Sequence, residues 1–337
     1  MKAMQFRKPA DLGTAPLSLC ERPDPEPGPG EVRVRVRVCA VCRTDLHVIE
    51  GELRPKKSPL IPGHQIVGVV DALGPGASTL RIGARVGIAW LRETCRRCRF
   101  CNSGRENLCL GARFTGYDDD GGYATVAVAP VQFAYPIPEV FSDEEAAPLL
   151  CAGIIGYRAL RLSGVRPGQR LGLYGFGAAA HLAIQVARHW DCEVYVCSLR
   201  PEHRRMALDM GARWAGEAAA MPPDLLHASI MFAPAGELVA PALRALDRGG
   251  TLALAGIHMS PIPSLNYDEE VFGERVIRSV TANTRQDGMD FLDVAARIPI
   301  RPQTVRFRLD QANEALQALK AGSINGSGIL VTDGDFV

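Results

Sequence analysis

The sequence predicts an α/β fold in two parts, a β-rich region followed by a doubly wound parallel sheet, and three observations point to it. Residues 31–38 read "EVRVRVRV", a strict alternation that fits a strand buried on one face. After Cys151, short apolar runs alternate with helical patterns, as in "QRLGLYGFGAAAHLAIQVARHW" followed by "CEVYVCSLR". That rhythm implies parallel strands joined by crossover helices. The length of 337 residues suits two buried cores of ordinary domain size.

Taken in order, the alternating strand follows the turn-forming "PEPGPG". "IVGVVDALGPGA" and "RIGARVGIAW" are further short strands bounded by Gly and Pro. In the second part "PEHRRMALDMGA" is a helix with a Gly stop, and "ASIMFAP", "ALRALDRGG" and "TLALAGI" continue the alternation. From about Thr284 the chain carries two helical patterns, "GMDFLDVAARI" and "DQANEALQALKAG", and one final strand, "SGILVTD".

Composition narrows the function class. Lys and Arg number 38 against 37 Asp and Glu, a balance that argues against nucleic-acid or anionic-membrane partners. The N-terminus lacks the apolar core of a signal peptide, and no stretch reaches the roughly 18 apolar residues of a membrane span. The expectation is a soluble cytoplasmic protein, in which thiols stay reduced and clustered cysteines act as metal ligands.

Of ten cysteines, four fall within residues 95–109: Cys95, Cys98, Cys101 and Cys109, in the spacing C-x2-C-x2-C-x7-C. Two-residue gaps let successive thiolates turn back onto one ion, and a fourth closes a tetrahedron. Arg96, Arg97 and Arg99 between them favour the thiolate forms. Zinc fits this pattern. An iron–sulfur cluster is the rival, but its common spacings differ. Four sulfurs leave no open position, so this site is structural and the chemistry lies elsewhere. Cys42, His64 and Cys151 offer two thiolates and an imidazole, which with a vacant fourth position is a catalytic zinc pattern.

"GLYGFGAAAHLA" sets Gly175-x-Gly177-x-x-Ala180 between a strand and a helix. Gly175 permits the tight turn, Gly177 admits a pyrophosphate to the backbone, and Ala180 allows close helix–sheet packing. Ala178 and Ala179 open the helix, whose free N–H groups face the anion. His181 beyond them reads as packing. The next strand ends at Ser198 with Arg200, Arg204 and Arg205 following, where an NAD site would carry an acid for the ribose hydroxyls. A missing acid and added positive charge favour NADP(H), with NAD(H) possible.

Together "CRTDLH", "GHQIVG", the four-cysteine loop, "CAGIIGYRAL" and "GFGAAAHLA" stand in the order of the zinc-dependent medium-chain alcohol dehydrogenases, which the whole chain resembles. The resemblance implies a GroES-like catalytic domain at residues 1–150 and 284–337, with its structural-zinc loop at 95–109. It implies a Rossmann cofactor domain at 151–283. Cys42, His64 and Cys151 look like the catalytic zinc ligands, giving two zincs per chain. Asp45 resembles the carboxylate that orients the ligating histidine. Thr44 resembles the hydroxyl that takes the substrate's proton, passed through the nicotinamide ribose to His47. Arg43 looks like a pyrophosphate contact, Trp90 a pocket-lining aromatic, and Ile155 and Ile257 neighbours of the nicotinamide.

The implied reaction is hydride transfer between an alcohol or aldehyde and a nicotinamide cofactor, the metal acting as a Lewis acid. The alternatives are a member acting mainly as a carbonyl reductase and a catalytically silent nucleotide or metal sensor. Members of the family are usually homodimers or homotetramers. Two positions depart from the pattern: Gln65 stands where a Glu is usual, and Ser327 where many members place an Arg.

Overall fold

A computed structural model describes residues 1–298 and 300–332, and the chain divides into two compact units. The first takes Met1–Cys151, Ala282–Ala296 and Arg301–Val337; the second takes Ala152–Thr281 and Arg297–Ile300. Cys151 therefore falls with the β-rich unit, one residue beyond the boundary expected from the sequence. The segment 297–300 groups with the second unit although it follows the return of the chain to the first. None of the described helices is long and apolar enough to cross a membrane.

The first unit is built on a seven-stranded sheet around the strand Glu31–Ala40. That strand pairs antiparallel with Ile66–Leu73, Val126–Pro130 and Ser327–Val331. Val32, Val34 and Val36 enter one core with Ile66, Val70, Val86, Ile88 and Tyr123. The intervening arginines serve the other face, as the alternation requires. Asp71 on the neighbouring strand accepts from Arg33 Nε at 2.9 Å and Arg35 Nε at 2.7 Å. "TVRFR" forms a strand, Thr304–Arg308, that sequence reading did not distinguish; it pairs parallel to Ser327–Val331. Its residues are exposed or half-buried, so it lacks the apolar run that marks a core strand.

The second unit holds six parallel strands in the spatial order Trp214–Gly216, Glu193–Cys197, Arg170–Tyr174, Leu226–Met231, Leu246–Leu254, Val276–Ser279. Numbered along this unit, that order is 3-2-1-4-5-6, the Rossmann arrangement, with its reversal between the first and fourth strands. The "ALRALDRGG" stretch divides: a helix ends at Arg244 and the fifth strand starts at Leu246.

Within the first unit, the base of the four-cysteine loop is closed by an antiparallel pair, Leu91–Glu93 with Arg113–Phe114. Its inner edge is tied to the helix Arg285–Arg297. Buried Glu106 accepts from Arg285 Nη2 at 2.7 Å, from Nε at 3.0 Å, and from the Arg285 backbone N–H at 2.8 Å. Burial works against the charged Glu106, but the bonds from Arg285 outweigh it and hold its carboxyl below the ordinary range. A carboxyl lowered in the folded state stabilises the fold above its unfolded value of about 4.3, and loses that contribution as pH falls through its lower folded value. Glu106→Gln is expected to cost about 1–2 kcal/mol at pH 7, because Arg285 is partly solvated. The cost should shrink as the pH drops below about 4. Denaturant melts at several pH values check this, and a pH-independent difference would contradict it.

Candidate metal centres and cofactor turn

Three segments of the first unit bring Cys42, His64 and Cys151 together. The strands Glu31–Ala40 and Ile66–Leu73 pair with Cys39 opposite Ile66, so Cys42 and His64 emerge from adjacent strand ends. Cys42 caps the short helix Arg43–Ile49. Cys151 lies in a π-helical turn, Leu149–Gly153, after Pro148. A wide turn of this kind is rare and frequently serves a functional site.

The Sγ atoms of Cys42 and Cys151 are 3.8 Å apart, and His64 Nε2 is 3.4 Å from Cys151 Sγ. Zinc bonds of about 2.3 Å to sulfur and 2.0–2.1 Å to nitrogen would set tetrahedral ligand atoms about 3.5–3.8 Å apart. The donor set and its spacing fit one such ion. The Cys151 thiol bonded to Cys42, with His64 beside it, holds Cys42 well below the ordinary thiol range despite burial. Cys151 keeps the shared proton, raised by that same bond and by burial. Burial alone would lower His64, but the Asp45 carboxylate overcomes it and lifts the ring to about 10.

Asp45 is buried and accepts three bonds. His64 Nδ1 donates to Oδ1 at 3.0 Å, while the Cys42 backbone N–H and the Tyr123 hydroxyl donate to Oδ2 at 2.8 and 3.0 Å. Sequence reading did not single out Tyr123, whose only signal was its place after "GG" in "DDDGGYATV". Trp90 meets His64 edge-on with ring centres 5.0 Å apart and stacks on Phe114 at 5.0 Å. Thr44 is buried with its hydroxyl 3.6 Å from Cys42 Sγ, and Arg43 is exposed at the head of the same helix. One turn on, His47 is half-buried and its Nδ1 faces the Glu52 carboxylate, a second partner the sequence did not reveal.

The two departures have local accounts. Gln65 is buried and its amide donates to the Ala40 carbonyl at 3.3 Å, a bond no carboxylate could supply. Ser327 is buried at the start of the last strand, its N–H donating to the Gln303 carbonyl at 2.8 Å.

The second cluster joins Cys95, Cys98, Cys101 and Cys109, with all four sulfurs within 4.8 Å of one another. Cys98 and Cys101 are 3.5 Å apart and Cys95 and Cys101 4.0 Å. The Arg97 and Cys98 backbone N–H groups and the Cys109 thiol bring Cys95 down to about 6. Burial pushes Cys109 up to about 11. Four thiolates are enough to complete a tetrahedral shell.

In the second unit the turn after Arg170–Tyr174 sits at the strand-order reversal. Gly175 has φ +86° and approaches the Ala233 backbone, where a side chain would be strained and crowded. Gly177, the residue before the helix Ala178–His189, is exposed, and a Cβ there would meet nothing within 4 Å. Nothing within the protein demands a glycine there, which suits close approach of an outside group. Ala178 and Ala179 are half-buried and Ala180 is fully buried against the sheet. His181 is buried with both ring nitrogens unpartnered, and burial lowers it to about 4. It is therefore neutral.

Ser198 is buried after the strand Glu193–Cys197, and Arg200 precedes the helix Pro201–Asp209. Arg204 is not a purely solvated side chain, since its Nη1 donates to the Ser198 carbonyl at 2.8 Å and to that of Leu199 at 3.2 Å. Ile155 is half-buried in the helix Ile154–Ser163, and Ile257 lies 51% exposed beyond the fifth strand.

A GroES-like β unit and a Rossmann unit on one chain define a class, the two-domain medium-chain dehydrogenases. Residues 28–139 match the alcohol dehydrogenase GroES-like domain, and residues 178–297 match the zinc-binding dehydrogenase domain. The chain is 49% identical over 336 residues to a probable alcohol dehydrogenase, AdhA, of Mycobacterium tuberculosis, covering 98% of this chain and 97% of that one. An alcohol dehydrogenase of Geobacillus stearothermophilus is 37% identical over 87% of this chain and 88% of its own. A cinnamyl alcohol dehydrogenase structure from Sorghum bicolor superposes with a TM-score of 0.89 at 27% identity, covering 98% of this chain and 97% of that one. The chain belongs to the zinc-dependent medium-chain alcohol dehydrogenase family, and it is an oxidoreductase.

Proposed function

We propose that the protein interconverts a small alcohol and its aldehyde or ketone, using NADP(H) in preference to NAD(H) and holding two zinc ions per chain. The observation that carries this reading is the Cys42–His64–Cys151 geometry: three donors within 4.8 Å of one another, with Asp45 behind the imidazole. Zinc held there would supply Lewis acidity, lowering the pKa of an alcohol or polarising a carbonyl. Asp45 orients His64 and makes its ring a stronger donor. The Thr44 hydroxyl, buried beside Cys42, takes the proton the alcohol releases. His47 lies one turn further along the same helix with its Nδ1 held by Glu52, and it returns the proton to water. Trp90 walls the site next to His64. Arg43, Ile155 and Ile257 contact the cofactor.

Cys95, Cys98, Cys101 and Cys109 hold the second zinc in a purely structural role. If so, Cys98→Ser should cost one zinc per chain and lower the melting temperature by several degrees, a loss of about 2–3 kcal/mol or more. Cys42→Ala should abolish turnover, release the other zinc and keep the fold. Metal analysis beside thermal melts decides; unchanged zinc content and melting temperature in Cys98→Ser would sink the assignment.

The Gly175–Ala180 turn receives the pyrophosphate at the head of the helix Ala178–His189. Ser198 and Arg200, with Arg204 fastened to the same loop, suit a 2′-phosphate. Charge-assisted bonds of this kind are worth about 1.5–3 kcal/mol. Ser198→Asp with Arg200→Ala should therefore shift the kcat/KM ratio roughly 10- to 100-fold toward NAD(H). An unaltered protein that already prefers NAD⁺ would overturn the cofactor reading.

The edge of the Rossmann sheet supports a homodimer or homotetramer. All four residues of Val276–Ser279 are exposed, and Tyr267, Phe272, Ile262 and Ile257 expose 63%, 61%, 42% and 51% of their surface nearby in sequence. A strand edge with no further partner among the described residues is a template for a second strand, and a two-fold axis pairs it with its own copy.

A further inference from the structure

Tyr123 is fully buried, yet it is a tyrosine and not a phenylalanine. A buried phenol is retained where its hydroxyl has a partner, and this one donates to Asp45 Oδ2 at 3.0 Å. Its backbone is fixed from both sides: its N–H donates to the Pro62 carbonyl at 3.0 Å, and its carbonyl accepts from Met4 N–H at 2.8 Å. Its ring lies against Gly63, the residue before His64. Gly63 has φ +96°, and a Cβ there would stand 2.3 Å from the Tyr123 ring. Tyr123 therefore touches the His64 strand end through its ring and the His64 ring through Asp45.

We propose that Tyr123 is a positioning residue for the Cys42–His64–Cys151 metal centre, setting the Asp45 carboxylate and through it the angle and basicity of His64. The inference rests on the reading that these three residues hold a metal. Asp45 Oδ1 serves His64, while Oδ2 is shared by the Cys42 backbone N–H and the Tyr123 hydroxyl. Without the hydroxyl, Oδ2 keeps only the Cys42 N–H among the described donors, and the carboxylate is held less firmly against rotation, with His64 on Oδ1 as its other restraint. The imidazole follows it. Changing a partner in direct contact with a ligating histidine typically costs 10- to 100-fold in metal affinity. Tyr123 stands one bond further out, so the expected loss is about 3- to 10-fold.

The experiment compares the full-length protein with Tyr123→Phe, each loaded with zinc and separately with cobalt(II). Chelator competition gives the affinity of each site, and cobalt absorption reports the ligand field. The four-cysteine site in the same chain is the internal control. The expected result is a 3- to 10-fold weaker Cys42–His64–Cys151 site with shifted cobalt bands, and an unchanged four-cysteine site. In an Asp45→Asn background the added effect of Tyr123→Phe should largely vanish, because the two act through one contact. A drop in melting temperature with both sites unchanged would make Tyr123 a packing residue and overturn the inference. Metal uptake by the unaltered protein at the four-cysteine site alone would overturn the underlying reading as well. Should Tyr123→Phe not fold, 3-fluorotyrosine at position 123 keeps the ring and strengthens the donor. The cobalt bands must then move, and unmoved bands overturn the proposal.

Discussion

A buried carboxylate is costly unless its oxygens find donors, and Asp45 has three, from three separate parts of the chain. The Cys42 N–H comes from its own helix start, the His64 ring from the neighbouring strand end, and the Tyr123 hydroxyl from a loop some sixty residues later. Each donor satisfies the charge, and the charge in turn fixes each donor. The candidate metal centre takes its geometry from this arrangement. His64 has one ring nitrogen committed to Asp45, so the other is left to point at Cys151. Thr44 is placed by the same helix, and Trp90 follows the strand Arg85–Ile88 that pairs with Ile66–Leu73.

The two thiol clusters reach their spacing by different routes. Cys95, Cys98, Cys101 and Cys109 lie on one loop, where short spacing brings the sulfurs together and backbone N–H groups favour the thiolates. The loop is then anchored by Glu106 to Arg285, far along the chain. Cys42, His64 and Cys151 come from three segments, and their approach depends on the sheet register and the π-helical turn at Leu149–Gly153. The local cluster is closed. The assembled one supplies three donors, and in zinc proteins four protein ligands mark a closed site while three mark one that takes a further ligand.

The second unit repeats the contrast. The Gly175–Ala180 turn is a local device, a tight strand-to-helix connection at the point where strand order reverses. Positive charge is assembled at the end of the neighbouring strand, Glu193–Cys197. Arg204 reaches back to the Ser198 and Leu199 carbonyls and brings a guanidinium to the loop where an acid would otherwise stand.

Much of this was legible in the residues alone. Alternation in "EVRVRVRV", the strand–helix rhythm after Cys151, the four-cysteine spacing and the glycine turn are all local patterns, and local geometry is what period and spacing encode. They determined the two-part α/β architecture, the loop cluster and the glycine turn. Donor chemistry and the resemblance, not spacing, brought Cys42, His64 and Cys151 into one set. Tyr123 and Glu52 had no comparable signal, nor did the half-exposed strand Thr304–Arg308. Their roles depend on which distant segment each one meets. A hydrogen bond between Tyr123 and Asp45 spans 78 positions, and only sheet register and packing decide that those two side chains face each other.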